Sequence, residues 1–107
     1  MSAGELCFMR ATDLALLIQS RKLSARELMQ AHLEQISRLN PSLTAIVSKL
    51  DDGLCLALAA EADGRAAGNT RLPPLHGLPV AFKDLQAARG FPFTRGSLIF
   101  QHDMPAA

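Results

Sequence analysis

Apolar residues recur at helical spacing along the first two thirds of the chain. Leu14, Leu17 and Ile18 share one face of a short helix within "ATDLALLIQSRKLS", and Thr12 or Asp13 stands where a cap is expected. Ser24 followed three residues later by Glu27 is a capping box, in which each side chain satisfies a backbone N–H of the other. The helix it opens is predicted to run to about Leu39, with Ala25, Leu28, Met29, His32, Ile36 and Leu39 as its apolar stripe. Asn40-Pro41 is predicted to end it, because a residue before proline is pushed out of the α region.

"LTAIVSKL" reads as a short strand or extended segment over Leu43–Ser48. Asp51 or Asp52 then caps a third helix reaching about Ala67, with Leu54, Leu58, Ala62 and Ala66 along one side and Gly68-Asn69 as its stop. "NTRLPPLHG" is loop, where Gly77 can take a backbone angle closed to other residues. Leu78–Phe82 is apolar at every position, so it reads as a buried strand expecting cover on both faces. The remainder is irregular, punctuated by Gly90, Pro92 and Gly96. Helices first, then short apolar strands with long connections, indicate an α/β fold or part of one. The apolar run Leu98–Phe100 has no partner after it, and the expectation is that the chain is cut from a larger domain.

Length and composition fit this picture. The chain has 107 residues, nearly half of them apolar, enough for one small core. A formal charge of +1 lacks the electrostatic footprint of a nucleic-acid binder. The N-terminus has no signal-peptide pattern, and the longest wholly apolar run, Leu54–Ala60, is far short of a membrane span. A cytoplasmic protein is the default expectation. Cys7 and Cys55 are too few and too far apart for a disulfide framework or zinc site, and read as reduced, partly buried thiols.

Candidate chemistry narrows by elimination. His32, His76 and His102 show no ligand spacing. His32 lies on an apolar stripe and reads as a core-edge residue. His76 sits in a turn, where a backbone hydrogen bond is the expected role, and His102 is expected in solvent. There is no phosphate loop, since "DGRAAG" lies late in a helix with no strand before it. No serine has the strand-to-helix elbow of a hydrolase nucleophile, and Ser97 after Gly96 fits a turn or a cap. Lys83 stands out, at the end of the most core-like run in the sequence. Side chains alternate along a strand, so Lys83 shares a face with Ala81 and Pro79 while Asp84 points the other way with Val80 and Phe82. Two readings stay open on the pattern alone. A lysine at a strand end can reach to water. One that is desolvated loses its charge more readily and can act as a general base.

"LHGLPVAFKD", then Gly90, then "TRGS", resembles the N-terminal half of the amidase signature family. Upstream, "LSARELMQAHLEQISRLNPSLTAI" is similar to the family's capped helix, Asn-Pro stop and extended segment, and "ALAAEAD" to the alanine-rich helix that follows. The resemblance covers roughly residues 12 to 105. It implies an α/β fold: N-terminal helices plus the first strands of a mixed sheet flanked by helices. Residues 1–107 would be the N-terminal portion of one larger domain, incomplete on its own.

The resemblance also implies hydrolysis of carboxylic amides without a cofactor or metal. A serine would attack the carbonyl, a second serine in a cis peptide would relay its proton, and Lys83 would be the base. Asp84 and the Gly96-Ser97 pair would shape the site. Gln35 and Phe93 depart from the common pattern, where arginine and threonine are usual. The Gly-Ser-rich segment that carries both serines and the oxyanion donors is not in this sequence, so the 107 residues alone are expected to be inactive. The implied partner is a small-molecule amide, with no nucleic acid and no membrane, and the full-length form allows a homodimer. Alternatives are a glutamine-hydrolysing subunit of a tRNA-dependent amidotransferase and a non-catalytic truncated module.

Overall fold

The computed structural model describes residues 2–68, 71–84, 86, 88–91, 94–100 and 102–104. Asn69, Pro92 and Phe93, singled out above, lie outside the described residues. The described residues form helices α1 (Ala3–Cys7), α2 (Ala11–Gln19), α3 (Ala25–Leu43) and α4 (Asp52–Ala67), followed by a 3-10 helix, Leu98–Phe100. They divide into two units. One comprises Met1–Ala45 with Asp51–Pro79, the other Ile46–Leu50 with Val80–Ala107.

The first unit is helical. Helix α1 was not expected, although the sequence announces it: the Ser2 hydroxyl accepts the Glu5 N–H at 3.2 Å, on the same spacing as Ser24 and Glu27. Helix α2 buries Leu14 and Ile18 as predicted, but neither Thr12 nor Asp13 caps it. Its cap position is Arg10, whose Nε reaches the Asp13 carboxylate at 3.1 Å. Helix α3 starts at the predicted cap, with Ser24 Oγ accepting the Glu27 N–H at 2.9 Å. It runs through Pro41 to Leu43 and stops at Thr44, which turns left-handed at φ 50°. Pro41 has no N–H for the Ser37 carbonyl and its ring crowds that carbonyl, but in the last turn little of the helix ladder depends on it, and α3 runs two residues past it.

The core gathers Leu6, Leu14, Ile18, Leu23, Leu28 and Ala31, with Leu17 and Leu78 packed against it. Helix α3 packs against both α1 and α4. It buries Ala25, Leu28, Ala31 and Leu33, whereas Leu39 of the predicted stripe is exposed.

Helix α4 presents a face one residue away from the expected one. Cys55, Ala59 and Ala66 are buried, while Leu54 and Leu58 remain 47% and 48% exposed. Small side chains let two helix backbones approach closely, and here that outweighs the larger burial the leucines offer. The cap is Asp51, whose carboxylate accepts the Gly53 N–H at 3.0 Å. Gly68 ends the helix at φ −100°, without the left-handed turn of a glycine stop.

Charge also joins the helices. The Asp63 carboxylate of α4 accepts the Ala25 N–H at 2.7 Å and the Arg26 N–H at 3.1 Å, both at the N-terminus of α3. With Ser24 on Glu27, three otherwise unpaired helix N–H groups are met, and a carboxylate is favoured at this end of the helix dipole. Arg21 closes the opposite polarity, its guanidinium donating to the carbonyls of Ile18 and Gln19 in α2 and to Ala66 in α4. His76 Nε2 donates to the Ala62 carbonyl at 2.8 Å, the backbone role expected for it. Gly77 adopts φ 80°, and a Cβ there would meet Ala25 Cβ at 3.2 Å and Ile18 Cδ1 at 3.3 Å. The angle favours glycine, and the space for a side chain is tight. Neither Cys7 nor Cys55 takes part in a disulfide among the described residues.

The Ser24 cap gives a stability test. Ser24→Ala is expected to cost about 1 kcal/mol, seen as a lower urea midpoint in far-UV circular dichroism. An unchanged midpoint would mean that Asp63 alone holds the start of α3.

No strand forms among the described residues. Leu43 closes α3, and Thr44–Lys49 is irregular rather than a strand. Leu78–Phe82 is also irregular, and instead of being covered on both faces it leaves Val80 74% and Phe82 62% exposed. A strand exists through its neighbour: its N–H and C=O groups need a second strand to pair with, and none is supplied here. The sheet of the expected α/β architecture is therefore not seen among the described residues. No helix of the described residues is long and apolar enough to cross a membrane.

Candidate functional site

Lys83, Asp84 and the Gly96-Ser97 pair lie in the second unit. Lys83 ends the irregular apolar run and is exposed, so the enclosure that would make it a desolvated amine is not provided by the described residues. Its side chain has no hydrogen-bond partner among them. Its carbonyl accepts the Gln86 N–H at 3.0 Å, which places Lys83 at the first position of a turn.

Asp84 is held more firmly. One carboxylate oxygen accepts the Thr94 N–H at 2.9 Å, and the other accepts the Thr94 hydroxyl. The carboxyl is drawn below its ordinary range first by the Thr94 hydroxyl and next by the Thr94 N–H. Desolvation opposes this, and the N–H groups of Gly96 and Arg95 lower the carboxyl further.

The turn that Asp84 grips is unusual. Ser97 N–H donates to the Thr94 carbonyl at 2.9 Å, and both central residues have positive φ, 55° at Arg95 and 69° at Gly96. That is the signature of a type I′ turn. Gly96 adopts it freely, whereas a residue with a Cβ is held there at a cost of about 1–2 kcal/mol. The Arg95 guanidinium lies 4.3 Å from the centre of the Phe100 ring, a cation–π distance. Ser97 takes the expected cap role, its Oγ accepting the Ile99 N–H at 3.2 Å at the start of the 3-10 helix. His102 is exposed as expected. His32, on α3, sets its Nδ1 2.9 Å from the Leu28 carbonyl and is half-buried at the core edge.

The structure thus brings Asp84 and the Thr94–Ser97 turn together directly beside Lys83. Thr94 opens the "TRGS" block, yet sequence reasoning assigns it no role. It lies ten residues from Asp84, beyond any local spacing rule.

The state of Asp84 gives a pH dependence of definite sign. A carboxyl held below its ordinary value of 3.8 contributes stability above that value. The contribution is lost as pH falls through the depressed value in the folded chain. The Thr94 amide resonance is therefore expected to move with a midpoint below 3.8 as the clasp releases. A midpoint at or above the ordinary carboxylate value would show that Thr94 does not hold Asp84 in solution.

Comparison with known proteins now bears on these residues. The amidase family profile matches residues 27–107, a span that includes Lys83, Asp84 and Thr94–Ser97. A glutamyl-tRNA(Gln) amidotransferase subunit of Acidothermus cellulolyticus is 40% identical over 95 residues, covering 89% of this chain and 19% of its own length. An acylamidase of Rhodococcus erythropolis is 35% identical over 96 residues, covering 90% of this chain and 20% of its own length. A probable amidase of Arabidopsis thaliana is 36% identical over 72 residues, covering 67% of this chain and 14% of its own length. The first two show that the chain spans about a fifth of the length of the curated relatives it matches. No solved structure matches. The match over residues 27–107 is the expectation raised by "LHGLPVAFKD" and "TRGS", and the chain belongs to the amidase family.

Proposed function

We propose that this chain is the lysine-bearing portion of an enzyme that hydrolyses carboxylic amides, R-CO-NH2 plus water giving the acid plus ammonia. The observation that carries the reading is the family match across residues 27–107, which contains Lys83 beside the Asp84 clasp. Lys83 is the base of a serine–cis-serine–lysine relay. It takes, through the second serine, the proton of the attacking serine, whose hydroxyl is a weak nucleophile until a base removes it. Both serines and the oxyanion donors belong to the family's Gly-Ser-rich segment, absent from this sequence, so the 107 residues alone do not turn over amides.

In the whole protein, residues 1–107 are the N-terminal portion of one larger domain. Leu78–Phe82 joins a mixed sheet flanked by helices there, which gives Val80 and Phe82 the cover they lack here. No cofactor is needed by the relay. The protein acts in the cytoplasm and can pair as a homodimer.

A second reading is favoured by the identity to the amidotransferase relative, 40% against 35% for the acylamidase. On that reading the amide is the side chain of glutamine and the protein works with a second polypeptide. Ammonia release by the purified whole protein, over simple carboxylic amides and glutamine, separates the two. Turnover of several amides without a partner supports the free-standing amidase. Release from glutamine alone, dependent on an added partner, supports the amidotransferase. No release from any amide under either condition overturns both.

A further inference from the structure

We infer that Asp84 is a positioning residue for Lys83 and that it acts through Thr94. The inference rests on the reading of Lys83 as the base. No side-chain contact sets the place of Lys83, which is exposed and whose side chain has no hydrogen-bond partner among the described residues. The neighbouring carboxylate, by contrast, is pinned at both oxygens, by the Thr94 N–H and the Thr94 hydroxyl. Lys83 opens the turn in which Asp84 stands, and a single planar peptide joins the two, so fixing Asp84 limits the direction in which Lys83 leaves the backbone. The Gln86 N–H on the Lys83 carbonyl holds the peptide that joins them.

Thr94 is itself anchored. Its hydroxyl also accepts the Gly96 N–H at 3.3 Å, and its carbonyl closes the turn through the Ser97 N–H. The carboxylate therefore grips a closed loop with two positive-φ residues, not a free side chain. Asp84 touches no reacting atom in this scheme. Its carboxylate is committed to Thr94 and stays ionised, so it neither shuttles a proton nor competes for the one that Lys83 receives.

The chemistry of the clasp separates position from charge. An asparagine at residue 84 still accepts the Thr94 N–H through its carbonyl oxygen and donates from its amide to the Thr94 oxygen, which has a second lone pair. Alanine does neither. In the whole protein, Asp84→Ala is expected to lower kcat about 10²-fold at nearly unchanged KM, as for a misplaced reacting group. Thr94→Val, which removes the hydroxyl but keeps the Thr94 N–H, should lose part of this, the double variant should lose no more than Asp84→Ala alone, and Asp84→Asn should restore most of the rate. Unchanged kcat in both single variants, or losses that multiply in the double, overturns the inference. Failure of Asp84→Asn to restore the rate also overturns it, by making the charge the active feature. Should Asp84→Ala not fold, Thr94→Val carries the comparison with Thr94→Ser, which keeps the hydroxyl and should retain the rate.

Hydrogen exchange on the 107-residue chain gives a readout independent of turnover. The Thr94 amide should be protected, and the protection lost in Asp84→Ala. An unprotected Thr94 amide overturns the clasp whatever Lys83 does. An active Lys83→Ala protein removes the base reading and the inference with it. An inactive Lys83→Ala beside a fully active Asp84→Ala removes the inference alone.

Discussion

Replacing Lys83 by alanine in the whole protein is expected to lower kcat for amide hydrolysis by about 10²–10⁴-fold, the usual contribution of a positioned acid–base group. The fold should be untouched, because Lys83 is exposed and its side chain bonds to none of the described residues. The more telling variant is Lys83→Arg. Arginine keeps the charge and the reach but cannot give up its proton at any working pH. If the amine accepts the serine's proton, Lys83→Arg should be as inactive as Lys83→Ala. If Lys83 serves only as a positive charge near the substrate, arginine should retain much of the rate. Full activity in Lys83→Arg would sink the base assignment, and circular dichroism of both variants would confirm that folding is not the cause.

The largest effect on stability is expected at Leu28. It is 0% exposed and touches the cluster formed by Leu6, Leu14, Ile18, Leu23 and Ala31. Leu28→Ala removes buried methyl groups and leaves a cavity, a combined cost of about 2–5 kcal/mol. A domain of this size has only about 5–15 kcal/mol of net stability. The urea midpoint should fall sharply, and Leu28→Met, which preserves volume, should cost less than about 1.5 kcal/mol. Leu16, on the outer side of α2 and 64% exposed, is the control. Leu16→Ala should stay within about 0.5 kcal/mol of the parent. Equal shifts at Leu28 and Leu16 would mean that the helices do not pack as described.

Much of the helical unit is legible in the sequence because its signals are local. Ser24 with Glu27 marks the start of α3, Leu14 and Ile18 mark the buried side of α2, and Asp51 the start of α4. Where prediction fails, the deciding partner lies elsewhere in the chain. Hydrophobicity alone places the face of α4 on Leu54 and Leu58, because it omits the clearance to α3, which favours Cys55 and Ala59. The run Leu78–Phe82 has the composition of a strand, but pairing depends on a neighbour and not on composition. Helix α1 is the exception, an unexpected element whose capping signal at Ser2 is nonetheless local. At the site, Lys83 is marked by its odd position after an apolar run and by family resemblance. Its clasp is not, since nothing near Asp84 in sequence points to Thr94.

The carboxylate of Asp63 has a consequence for the order in which the chain matures. It meets the first N–H groups of α3 from 38 and 37 residues away in sequence. During synthesis α3 leaves the ribosome well before residue 63, and until then its opening turn has only Ser24 to hold it. The start of the longest helix is finished by one of the last turns of α4. Formation of the two helices is thereby tied into one event, and a nascent chain stalled before residue 63 carries a frayed α3.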